Sequence, residues 1–467
     1  MMRFNSGAGR MMGFLLMVNF LLITTVSTFA RRQPNFLILV ASDAGLDAGC
    51  YGNSRIRTPN IDQLAEYGVV CQNAFVTTPE YSSSLISLLS GKYPHTTRTE
   101  DLDTPLPDSV KLLPSYLRAA GYITGLEGDT GMGENGIKQF DWYSDKASNF
   151  SRFLDTIRRK PFFFIACFNE PRRNFVPGMI HPPHDPDNVI VRAHLVDDGR
   201  TRRDIALYYD DYAHLDSLIG NYLALLKSSN KDKNTLIIFL SRNGAPFPRE
   251  KGTLYDRGIR IPMIFSGYPL SRENIHFDGL ISTIDIAPTL FKLAELDKPA
   301  DMPGLDYSLM LKGSIMLGKD FIYTERNWED CDEHMRSVRN ERYKLILNSY
   351  VDKPFGAPAD VLNSPSWESL LELKNSGQLS YTQKLIFTAP RPEVELYDLQ
   401  NDPEEYVNIG GDPEYKEIEN DLINVLVRWM DTTGDFPSDK RIRADRADRV
   451  TGKWLAHDRP PLENDIK

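Results

Sequence analysis

Three consecutive hydroxyls, Ser82, Ser83 and Ser84, follow Tyr81 at the head of an apolar run that closes at Ser90 and Gly91. A serine becomes a nucleophile only when a base or a metal takes its proton, and no such group accompanies this run at supporting spacing. The blander role for the same serines is capping of the helix that begins there. His181 and His184, in HPPHDP, offer two imidazoles to a metal, but no third ligand accompanies them and the prolines read as a surface loop. Asn149-Phe150-Ser151 is an N-glycosylation sequon, which suits an exposed loop in a secreted protein.

The elements that position these residues are written in the hydrophobic pattern. Asn35 to Ala41 (NFLILVA), Pro161 to Phe168 (PFFFIACF) and Thr235 to Leu240 (TLIIFL) are continuous apolar runs of the kind found in strands covered on both faces. Thr58-Pro59 opens a helix that stops near Gly68, Ser82 to Ser90 forms another closed by Gly91, and Val110 to Ala120 a third closed by Gly121. Arg202 to Ser228 carries Ile205, Tyr208, Tyr212, Leu215, Ile219, Tyr222 and Leu226 at helical spacing. Alternating strands and helices predict a mostly parallel α/β sheet, with ligands beyond the carboxyl ends of its strands. The loops Ser42 to Gly45, Asn169 to Arg172 and Ser241 to Gly244 are therefore where a site belongs. After about residue 345 the texture turns to short strands and a late helix around Tyr415 to Met430, followed by a charged tail beyond Asp439 expected to be poorly ordered or draped on the surface.

Composition narrows the class. The 467 residues are 41% hydrophobic and 25% charged, ordinary for a globular protein with a large core. Residues 1–30 read as a secretory signal: Arg3 and Arg10 precede the apolar run Met11 to Ile23, and small residues end at Ala30. The rival reading is an uncleaved anchor, since Met11 to Ala30 is just long enough to span a bilayer; no later segment is. With 54 Lys and Arg against 64 Asp and Glu the formal charge is −10, and loss of Arg3 and Arg10 with the leader takes it to −12, which argues against nucleic acid as a partner. Cys50, Cys71, Cys167 and Cys331 are too few for a disulfide scaffold, and sequence does not say which of them pair.

The segment Thr77 to His95, TTPEYSSSLISLLSGKYPH, resembles the nucleophile segment of sulfatases, in which C-x-P-S-R precedes an apolar helical run and T-G-x-x-P and the Cys becomes formylglycine. Further matches are Thr58 to Ala65 (TPNIDQLA), Ser241 to Pro248 (SRNGAPFP), Lys251 to Tyr255 (KGTLY) and Asp285 to Leu290 (DIAPTL). The resemblance runs from about Pro34 to Met430 and is closest to the heparan N-sulfatase (sulfamidase) branch. It implies an α/β, alkaline-phosphatase-like fold: a large, mostly parallel sheet flanked by helices, plus a smaller C-terminal α+β subdomain with an antiparallel sheet. The implied division is a leader at 1–30, the main domain at 31–345 and the C-terminal subdomain with its tail at 346–467.

Position by position, the resemblance implies a site that has lost its chemistry. Tyr81 stands where the formylglycine Cys belongs, Ser83 replaces the Pro and Leu85 the Arg. The family's calcium is held by an Asp pair and an Asp-Asn pair; here these read Ser42-Asp43 and Arg242-Asn243. Two carboxylates are gone and a guanidinium that cannot shed its proton has arrived, a poor host for a cation that takes about six to eight oxygens. Gly128-Asp129-Thr130-Gly131 stands for G-K-x-H and Asn169-Glu170-Pro171-Arg172 for H-x-P-H, which removes a Lys and the imidazoles. Asp43 and Asn243 remain as metal-site remnants, and Lys251 matches the family's sulfate-contacting Lys. The expectation is a pseudoenzyme of the secretory pathway, lysosomal or extracellular, with no cofactor, which binds a sulfated glycan or a protein partner. Arg242 is expected to pair with Asp43 in the cation's place, and Asn149 to carry one glycan. The alternative is an active ester hydrolase that uses Ser82 with Lys251, for which calcium would be needed.

Overall fold

The computed structural model describes Met1 and residues 33–467, apart from 102–104, 146–148, 315–316, 439, 442 and 456–467; the leader at 1–30 falls almost wholly outside them. The central strand β1 (Asn35–Ala41) is buried at every position, and its residues alternate between two hydrophobic clusters. Phe36, Ile38 and Val40 belong to one, Leu37, Leu39 and Ala41 to the other. That is the period-two pleat of a strand covered on both faces, as its unbroken apolar sequence requires.

The remaining strands of this sheet are β2 (Gly68–Phe75), β3 (Ile123–Glu127), β4 (Trp142–Ser144), β5 (Phe162–Cys167), β6 (Thr235–Ser241), β7 (Arg260–Gly267) and β8 (Ile275–Ser282). Their spatial order is β4-β3-β5-β1-β6-β7-β2-β8. β1 pairs in parallel with β5 and β6, so the loops after these three strands emerge at one edge, where ligands bind in open α/β sheets. Only β7 runs against its neighbours β6 and β2, so the expected mostly parallel sheet is present.

Helices α1 (Pro59–Glu66), α2 (Tyr81–Ser90), α3 (Leu113–Ala119), α4 (Gly199–Ser228) and α5 (Ile286–Leu293) belong to this layer. α4 starts where Asp198 accepts the backbone N–H groups of Arg200 and Thr201 at 3.0 and 2.8 Å. Its Ile205, Tyr208, Tyr212, Leu215, Ile219, Tyr222 and Leu226 are all buried, the face that helical spacing marks out. α2 begins one residue earlier than expected, with Glu80 at the N-cap position, so Ser82, Ser83 and Ser84 lie inside the first turn and do not cap it.

A second sheet, β12-β11-β10-β9, is antiparallel throughout: β9 (Ile322–Trp328), β10 (Asp332–Arg339), β11 (Tyr343–Asn348) and β12 (Val394–Asp398). α6 (Pro365–Asn375) lies between β11 and β12 in sequence, and α7 (Lys416–Thr433) packs Leu422, Leu426 and Trp429 against Val338, Leu345 and Leu396 of the sheet. The passage from the first sheet to the second falls between Ser282 and Ile322, and residues 343–348 form one strand. No helix among the described residues is long and apolar enough to cross a membrane.

The described residues between 440 and 455 are tied to the body of the protein, so of the two expectations for the tail, poor order does not hold for them. Arg449 donates to Asp445 and Glu333, and Trp328 and Trp367 donate their indole N–H groups to the carbonyls of Ala444 and Val450. Buried guanidinium-carboxylate pairs fix it in place, a pairing that the charged composition of the tail conceals. All four cysteines are free.

Candidate functional site

Three loops converge beyond the carboxyl ends of β1, β5 and β6. The backbone N–H groups of Ser42 and Asp43 donate to the carbonyls of Glu170 and Pro171, at 3.1 and 3.0 Å, which ties the first loop to the second. Ala44 N–H donates to Ser241 Oγ at 3.0 Å, which ties it to the third. Asp43 and Asn243 are each 1% exposed, so whatever faces them must satisfy them.

Asp43 is satisfied entirely by the chain itself. Its Oδ1 accepts from Asn243 Nδ2 at 3.0 Å and its Oδ2 from Lys251 Nζ at 2.9 Å. The same ammonium donates to Asp360 Oδ2 at 2.6 Å. Burial disfavours the charged amine, but Asp360 and Asp43 more than offset it and raise its pKa. Asp360 is lowered by the same contact. No motif in the sequence marks Asp360, which lies in a Pro- and Ala-rich stretch 109 residues from Lys251.

Arg242 does not pair with Asp43, contrary to expectation. Its guanidinium lies over the ring of Tyr81, 3.6 Å from the centroid, while Nη2 donates to the Phe168 carbonyl at 3.2 Å and Nη1 to that of Asp129 at 3.4 Å. Asn243 takes Asp43 Oδ1, and the compact ammonium of Lys251 takes the remaining Oδ2. The ring of Tyr81 is also approached by the exposed Arg172, at 5.0 Å, and its hydroxyl donates to the Asp129 carbonyl at 2.8 Å. Burial raises the Tyr81 pKa against the pull of Arg242, which keeps the phenol neutral. Gly131, at φ +65°, passes so near that an added Cβ would sit 2.8 Å from Ser82 Cβ.

Two of the three serines are held by backbone carbonyls. Ser83 Oγ donates to Thr99 O at 2.5 Å and Ser84 Oγ to Arg242 O at 2.8 Å, while Ser82 is 2% exposed. Ser42 Oγ is buried without a partner. Glu80 accepts from Arg326, which also serves Glu329, and burial pushes its carboxyl up to about 8.

A calcium ion does not fit this donor set. Both Asp43 oxygens already accept hydrogen bonds, Asn243 presents its amide nitrogen to Asp43, and two internal cations lie at the site where oxygen ligands would be required. Tyr81, at the position that the resemblance gives to the formylglycine, carries a phenol, from which that aldehyde cannot form.

The histidines separate. His181 is exposed, but His184 is buried, with Asp210 Oδ1 accepting from its Nδ1 and its backbone N–H, each at 2.7 Å, so it braces the loop from inside and does not decorate its surface. Asn149 is half-buried, with Nδ2 donating to Ser144 Oγ at 2.9 Å.

A family model described as sulfatase matches residues 34–296, and one described as the C-terminal part of N-sulphoglucosamine sulphohydrolase matches residues 249–366. Human N-sulphoglucosamine sulphohydrolase is 27% identical over 89% of this chain and 93% of its own. An ulvan-active sulfatase of Formosa agariphila is 26% identical over 93% of this chain and 80% of its own. The solved structure of a protein in complex with its substrate D-glucosamine-2-N,6-O-disulfate has a TM-score of 0.67, covering 88% of this chain and 100% of that one, at 18% identity; this is a likeness of fold.

Proposed function

The chain belongs to the sulfatase family, and from that premise we propose that it is a non-catalytic member, retained to bind or regulate. One observation carries the reading: Tyr81 and Arg242, at the positions that the resemblance gives to the nucleophile and to a metal ligand, stack on each other at 3.6 Å. Sulfate transfer in the family needs an aldehyde hydrate to attack sulfur and a cation to draw off charge. A neutral phenol supplies no such nucleophile, and Lys251 and Arg242 give the site fixed positive charge without an open coordination position.

The partner we propose is a sulfated glycan or a protein, outside the cell or in the lysosome. The names of the relatives and the exposed Arg172 beside Tyr81 favour an anionic glycan. A glycan at Asn149 would require its amide to leave Ser144. The hydrolase alternative is weaker, because Lys251, the base that Ser82 would need, is a cation held by two carboxylates.

Incubation of the purified chain with glucosamine N-sulfate, 4-nitrophenyl sulfate and 4-nitrophenyl phosphate tests this. No turnover above that of Asp43→Ala is expected. Turnover abolished by Ser82→Ala would overturn the proposal and establish the hydrolase.

A further inference from the structure

The loop Pro248 to Tyr255 has two sides. One presents Lys251 to Asp43, and the other walls a separate cavity of about 170 Å³ that none of Asp43, Tyr81, Arg242, Asn243 and Lys251 lines. Six rings line it: Tyr255, Phe355, Trp367, Tyr381, Tyr397 and Tyr406. It is close in size to the engineered apolar cavities of about 150 Å³ that take up benzene, so it fits one aromatic ring with a small substituent. Tyr381 and Thr388 are exposed and mark its rim.

Its wall carries more positive than negative charge. Glu395 is the one carboxylate among the lining residues, and both its oxygens are engaged: Oε2 accepts from Tyr255 and Tyr397 at 2.9 and 2.5 Å, and Oε1 from Asn348 Nδ2 at 2.6 Å. Against it stand two guanidiniums, Arg249 and Arg391. Arg391 pairs with Glu333, but Arg449 draws on the same carboxylate.

Arg249 has no such counter-charge. It is 6% exposed and makes no ion pair among the described residues. Its Nη1 donates to the Glu404 carbonyl at 3.1 Å and its Nη2 to that of Glu405, while the carboxylates of these two residues go to Arg257 at 2.7 Å and to Lys344 at 2.8 Å. The rings of Tyr255 and Tyr406 clasp the guanidinium, at 3.8 and 5.1 Å. Its edge is left over: two of five N–H groups are bonded, and Nε makes no hydrogen bond and is not sealed from water, as Nε of Arg391 is. The backbone beneath it lies at φ +64°, a conformation that residues with a side chain rarely hold and that gathers at ligand clamps. A buried cation without an anion is costly, and an anionic ligand would relieve it.

We propose that this cavity binds a small aromatic carboxylate, its ring among the six aromatic walls and its carboxylate on the free edge of Arg249. A neutral ring would leave the guanidinium without a counter-charge, and an aliphatic acid would leave the aromatic walls unfilled. The site is independent of whether the family site turns over.

Calorimetry on the full chain at low salt, with benzoate and benzamide as probes, tests it. These share a shape and differ in charge. Benzoate is expected to saturate one site and to bind roughly tenfold more tightly than benzamide, the margin of a charge-assisted hydrogen bond over a neutral one. That comparison needs only the unaltered chain. Arg249→Gln should erase the preference while benzamide still binds. Thr388→Trp, at an exposed position on the rim, should weaken both probes by at least roughly tenfold, which places them in this cavity. The proposal is overturned if benzoate does not saturate, if the two probes bind equally, if Arg249→Gln keeps the preference, if Thr388→Trp leaves binding unchanged, or if glucosamine N-sulfate competes with benzoate and binds more tightly.

Discussion

The guanidinium of Arg242 rests 3.6 Å from the centroid of the Tyr81 ring, with Arg242 1% exposed and Tyr81 half-buried. On the resemblance, each of these residues stands in place of a different residue type, and the contact between them accounts for the two together. An arginine beneath a cysteine-derived aldehyde would oppose a metal, and a tyrosine alone would expose a face to an empty site. Together they form a cation-π contact in which the guanidinium is withdrawn from water, which strengthens it.

The contact should show as coupling. In a double-mutant cycle, Tyr81→Ala and Arg242→Ala each destabilise the fold, and the pair should cost about 1–2 kcal/mol less than their sum. Denaturant unfolding of the four proteins measures it, and strict additivity would contradict the stack.

Lys251→Ala leaves Asp43 and Asp360 facing each other in a buried site without a counter-ion. A loss of roughly 3–5 kcal/mol is expected, the usual cost of stranding a buried charge. The same variant should gain a thermal shift with calcium that the parent lacks, because two carboxylates become available to it. A variant as stable as the parent and indifferent to calcium would show that the ammonium does not neutralise them.

Stability should rise as pH falls from about 8 to 5. Burial pushes Glu80 up to about 8 and Glu100 and Asp211 up to about 7. In the unfolded chain these carboxyls ionise near about 4, so between about 4 and 8 the folded state holds more protons and loses stability as pH rises. His95, raised by Glu325 against burial, acts in the same direction, since stability present below its ordinary pKa is lost as pH rises through the folded value. Asp360, lowered, titrates below this window. Melting temperatures across the range check the sign, and Glu80→Gln should flatten the upper part of the curve.

The fold was legible because its signals are local and redundant. β1, β5 and β6 are unbroken apolar runs, and α4 repeats its buried residues at helical spacing over 30 residues. Short strands such as β3, with Gly125 at its centre, and β4 carry no such signal, since their pairing is set by neighbours distant in sequence. At the site, the identity of the foreign residues could be read but their partners could not. The sequence pairs Asp43 with Arg242, because the loops after the first and the late strand are expected to come together. The structure gives it to Lys251, and Lys251 to Asp360, a residue 109 positions away that only the packing of β9, its following loop and α6 brings near.

The central claim is that the chain's own cations replace the metal, and native mass spectrometry with elemental analysis of the purified protein in excess calcium tests it most directly. The account predicts no stoichiometric calcium, and no change in composition when Asp43 is replaced by Ala. One calcium per chain, lost in Asp43→Ala, would contradict it.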